Sequence, residues 1–95
     1  MLFSAELAED RVKGLLDEAA KRVSEDQALS QARMEPVVVE GPLDLVGGVV
    51  TWRLSGKAHA EHTAALKRRM IIALRSELLE RKLGYEGGMV VERKA

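Results

Sequence analysis

Two adjacent glycines, Gly47 and Gly48, separate two runs rich in β-branched and aliphatic residues, 37–46 and 49–54. A two-residue loop with left-handed backbone at both positions is met at least steric cost by Gly-Gly, so the chain is committed to a tight antiparallel hairpin over 37–54. The loop length sets the register. Val46 falls opposite Val49, Leu45 opposite Val50, Asp44 opposite Thr51 and Leu43 opposite Trp52. Leu43, Leu45, Val50, Trp52 and Leu54 then share one face, with Trp52 as the core anchor, while Asp44, Thr51 and Arg53 share the other. Gly41-Pro42 interrupts the first strand and reads as a bulge or bend.

Such a hairpin needs cover on its apolar face, and two helical patterns flank it. Before it, Ala5, Ala8, Val12, Leu15, Leu16, Ala19 and Val23 recur at helical spacing, which predicts a helix over 5–23 capped by Ser4. A short helix or turn over 25–34 ends at Pro36, which forces extension. After the hairpin, Ser55 is a candidate N-cap for a long helix over 57–83, stopped by Gly84 in a left-handed C-terminal position. Gly87-Gly88 opens a last short strand over 89–93. These elements define one α+β domain over 1–95 in the order α-β-β-α-β. The expected sheet has three antiparallel strands in the order 2-1-3, with both helices on one face.

Charge and composition narrow the function classes. The 15 basic and 15 acidic side chains cancel, so the chain lacks the overall positive field by which nonspecific nucleic-acid or acidic-membrane binders are captured. There is no cysteine, which excludes disulfides, thiolate metal sites and thiol nucleophiles and points to the cytoplasm. The first residues carry Glu6 and lack a basic segment followed by an apolar one, and no apolar run is long enough to span a bilayer. A membrane is not an expected partner.

Candidate chemistry fails for lack of complete motifs. His59 and His62 are three apart, but no third ligand stands at a defined position, and the pattern H-x-E at His59 and Glu61 lacks the cysteines a zinc deaminase requires. Ser55-Gly56-Lys57 resembles the end of a phosphate loop, yet the glycine needed five residues before Gly56 is Thr51. No nucleophile elbow supports a Ser-His-Asp triad. The expectation is a noncatalytic protein with no catalytic, metal-binding or cofactor-binding residue, and an enzyme would have to build its site from residues without a motif.

The long helix carries more apolar surface than one sheet can cover. Thr63, Leu66, Met70, Ile71, Leu74 and Leu78 form a stripe for the hairpin, whereas Ala65, Ile72 and Leu79, with Leu83 beside them, lie on the far side. Either the first helix covers this second stripe or another protein does. A helix of about 27 residues spans ~40 Å against ~27 Å for strands of about eight, so part of it overhangs its sheet. The sequence therefore points to self-association, as a homodimer or higher assembly, with another protein as a further candidate partner. Arg68, Arg75 and Lys82 form a basic row between the stripes, and a nucleic-acid-binding module using that row is the alternative.

Overall fold

At the Gly47-Gly48 turn the ladder is the one the loop length dictates. In the computed structural model, which describes residues 1–25 and 33–92, Val46 pairs with Val49, Leu45 with Val50 and Asp44 with Thr51. The two strands are β2 (Arg33–Val46) and β3 (Val49–Ala58). The pairing of Leu43 with Trp52 does not form. Between the pairs Asp44–Thr51 and Glu40–Arg53, residues 41–43 lie opposite Trp52 alone, so Gly41-Pro42 is part of a wide irregularity. The Gly41–Pro42 peptide is cis. A Cβ at Gly41 would collide with the indole of Trp52, so only a glycine lets β2 cross the ring this closely.

The sheet around this hairpin differs from the expected one. It has five strands, not three, and is mixed, not purely antiparallel, in the order β2-β3-β1-β5-β4. The additional strands are β1 (Leu2–Ser4) and β4 (Leu83–Glu86), with β5 at Met89–Glu92. β1 pairs antiparallel with β3 and parallel with β5. Three residues are too few to show a period of two, so β1 is invisible to pattern reading. β4 was hidden by the long helix. That helix, α2, occupies Thr63–Glu80; β3 takes up the residues through Ala58, and a 3-10 turn spans Ala60–His62. Ser55 is consequently a strand residue and caps nothing.

The stop signal of α2 also differs. Lys82, not Gly84, adopts the left-handed conformation, with φ of 57°, and Gly84 lies inside β4. Gly87-Gly88 is a second hairpin turn, joining β4 to β5 through the pair Glu86–Met89. The strand returning from α2 runs parallel to β3, as a crossover demands, but that strand is β4; β5 then runs the other way.

The first helix, α1, spans Glu9–Ser24 rather than starting at residue 5. Ser4 belongs to β1, where its Oγ accepts the Glu6 N–H at 3.2 Å, and Ala8 occupies the N-cap without a side-chain bond. The expected helix or turn over 25–34 falls mostly outside the described residues; by Arg33 the chain is already in β2.

Both helices pack on one sheet face. Phe3, Val50 and Val90 are in register across β1, β3 and β5, so they point the same way. With Trp52 and Leu83 they meet Val12, Leu15 and Leu16 of α1 and Leu78 of α2. A second cluster joins Ala19, Ala20 and Val23 of α1 to Leu66 and Ala73 of α2 and to Val37. The alanines at this contact allow the helices to approach closely. The result is a small α+β domain, and no helix among the described residues is long and apolar enough to cross a membrane.

Candidate functional site

The proximity of α1 turns α2 about its axis relative to the expected orientation. Leu66 and Leu78 are buried and Met70 and Leu74 half-buried, but Thr63 and Ile71 of the expected core stripe face out. Ala73 and Glu77 take the interior positions instead. Ala73 is there because it is small. Glu77 is there because cations meet it.

The Glu77 carboxylate, only 3% exposed as a residue, forms an ion pair with Arg22 of α1 at 2.9 Å and accepts a hydrogen bond from Arg81 at 3.2 Å. Arg22 also binds Glu80 at 2.7 Å. A carboxylate removed from water requires this kind of pairing. The hydrogen bond that Arg22 donates to Glu80 raises the Arg22 pKa above its ordinary value, helped by the negative charges of Glu77, Glu80 and Glu18. The network ties α1 to α2. The i, i+4 spacing of Glu77 and Arg81 was its only sequence trace.

The predicted interface residues divide. Ala65 is exposed, as are Ile72 at 49% and Leu79 at 55%, so α1 does not cover them. Leu83 is 2% exposed; it lies in β4 and belongs to the core. Ile71, at 56% exposure, joins the outward face from its other side. Ile72 also borders a shallow groove of about 150 Å³ between the helices, beside Arg22, Val23 and Ser76.

Of the predicted basic row, Arg68 and Arg75 are exposed on α2 between Ile71 and the pair Ile72 and Leu79. Neither has an acidic partner among the described residues. Lys82 is exposed too, but its left-handed backbone follows the end of α2, so it does not continue the row as a helical residue.

A concavity at the start of α1 escaped sequence reading. It encloses about 430 Å³ and is lined by Ala5, Glu6, Leu7, Ala8, Glu9 and Val12 on one side and by Pro42, Leu45, Val50 and Trp52 on the other. It exists because α1 begins at Glu9, leaving residues 5–8 to arch from β1 beside the projecting hairpin. A helix drawn from residue 5 has no such arch. Trp52 lines the pocket although it is only 3% exposed.

The histidines form no centre. His59 precedes the 3-10 turn, and its carbonyl accepts from Thr63 Oγ1 at 3.5 Å; His62 Nε2 lies 3.4 Å from Glu61. No group of three or more His, Cys, Asp or Glu able to hold a metal is present among the described residues. At the other end of the ladder, Met1 and Trp52 exchange main-chain bonds, the Met1 amine donating to the Trp52 carbonyl and the Trp52 N–H to the Met1 carbonyl. Partial burial there lowers the amine pKa, and the charge of Arg53 lowers it further.

With fold and surfaces in place, no known protein family, curated protein or solved structure matches the chain.

Proposed function

We propose that this is a noncatalytic assembly module that associates with copies of itself through the outward face of α2. One observation carries the reading: α2 meets its own core with one side while Ile71, Ile72 and Leu79 stand exposed on the other. Three large aliphatic side chains on one exposed helical face are what a partner surface would bury. The absence of cysteine makes the cytoplasm the proposed setting.

Light scattering at rising protein concentration tests it. Wild type should have a mass above one chain, and Ile72→Glu or Leu79→Glu should bring it to one chain with the helical signal kept, because an unpaired carboxylate is not tolerated in a buried seam. The variants should also melt earlier than the assembled wild type, since association that requires the folded chain adds stability by mass action. A monomeric wild type would overturn the reading.

Arg68 and Arg75, exposed and without acidic partners among the described residues, support a second reading as a nucleic-acid contact. Binding would then weaken steeply with salt, and replacing Arg68, Arg75 and Lys82 together would flatten that dependence. The zero net charge weighs against it.

A further inference from the structure

The charges on α2 bear on what it docks against. The acids of α2, Glu77 and Glu80, are both turned to Arg22, which leaves the outward face with Arg68 and Arg75 and no carboxylate. Pairing this face with itself about a twofold axis would bring Arg68 of one copy near Arg75 of the other, and like charges facing each other at a seam are unfavourable. Pairing through the β2 edge fares no better: the Leu45 N–H is occupied by Asp44 Oδ1 at 2.8 Å, and the irregularity at Gly41-Pro42 breaks the ladder.

The complementary surface lies at the start of α1. Its pocket has an apolar interior, and Glu6 and Glu9 on its rim are exposed and have no cationic partner among the described residues. No lysine or arginine lines it. We propose that the α2 face of one copy docks into this pocket of a second copy, aliphatic side chains entering the pocket while Arg68 and Arg75 meet Glu6 and Glu9. This rests on the reading of α2 as the assembly face. It makes the contact heterologous, so each copy has one donor and one acceptor surface, and assembly proceeds to a ring or an open chain rather than stopping at a symmetric dimer.

Two charge-reversed variants test it. Arg68→Glu with Arg75→Glu disables the donor surface and keeps the pocket; Glu6→Lys with Glu9→Lys disables the pocket and keeps the donor. Each alone should have the mass of one chain, with circular dichroism and melting that show an intact fold. Mixed in equal amounts, they should recover a mass above one chain, because Arg68 and Arg75 of one variant meet Glu6 and Glu9 of the other, and at the reversed joint the introduced acids meet the introduced lysines. Leu45→Glu, on the pocket wall and 64% exposed, should lower the wild-type mass without touching a rim charge. If the Glu6→Lys, Glu9→Lys variant alone keeps the wild-type mass, or the mixture stays at one chain, the pocket is not the partner, although α2 can still be the assembly face. A wild type of one chain would remove the α2 reading and this inference together.

Discussion

α1 and α2 are of similar length and touch the same sheet face, yet they use their apolar residues differently. In α1, Val12, Leu15, Leu16, Ala19, Ala20 and Val23 are all buried, and the remaining surface is charged or small. In α2 the buried apolar residues are Leu66, Ala73 and Leu78, while Ile71, Ile72 and Leu79 face out. The first helix is committed to its own core. The second divides its apolar residues between the fold and the exterior, and an ion pair between its buried Glu77 and the exposed Arg22 holds it against the first. Apolar content alone does not separate core from contact surface in such a chain; the position of the neighbouring helix does.

The sharpest way to break this comparison is to cut back the residues α1 covers and those α2 exposes. Leu15→Ala, Leu16→Ala and Trp52→Ala should each cost about 2 to 5 kcal/mol, the lost transfer energy plus a cavity, enough to unfold much of a domain this small. Leu79→Ala in the monomeric Arg68→Glu, Arg75→Glu background should stay within about 0.5 kcal/mol in denaturant titrations, as exposed substitutions do. Equal losses at Leu15 and Leu79 would mean that α2 has no free side.

A smaller effect is expected at the joint between the helices. Glu77→Gln should cost about 1 to 2 kcal/mol in thermal or chemical unfolding, because two charge-assisted bonds weaken while Arg22 and Arg81 can still reach water. A change below a few tenths would show that packing at Ala73, rather than the ion pair, sets the distance between α1 and α2. The smallest effect should be a gain. Lys82 holds a left-handed conformation that glycine adopts without a Cβ clash, so Lys82→Gly should stabilise the domain by about 0.5 to 1 kcal/mol after the added freedom of the unfolded chain is counted. A loss instead would indicate that the Lys82 side chain holds the end of α2 in place.

The two Gly-Gly turns explain how much could be read in advance. Gly47 and Gly48 have φ of 58° and 79°, and Gly87 and Gly88 have 60° and 81°, the same turn at the same dipeptide. Alternating residues on both sides exposed the first. Before the second, Leu83 lies beside the predicted far stripe of the long helix and Gly84 has the place of a helix stop, so the first two residues of β4 read as a helix end and only Tyr85 and Glu86 are left to show a strand. The candidate surface fared likewise. Ile72 and Leu79 were placed outward by the wheel alone, but the pocket needs the arch at residues 5–8, which follows from β1, and three residues have no pattern. Burial of Glu77 depends on Arg22, whose approach only the tertiary structure supplies.

The place of β1 has a bearing on how the domain is made. Leu2–Ser4 is the middle strand of the sheet, bonded on one side to β3 and on the other to β5. On a ribosome, the strand that completes the sheet's interior is synthesised first and must wait for both neighbours, the second of which arrives only with Met89–Glu92. Pairings so distant along the chain are slow to form, because a long loop must close before any bond rewards it. The β2–β3 hairpin and α1 can collapse early, but Phe3 and Val90 cannot meet until synthesis has reached the last strand.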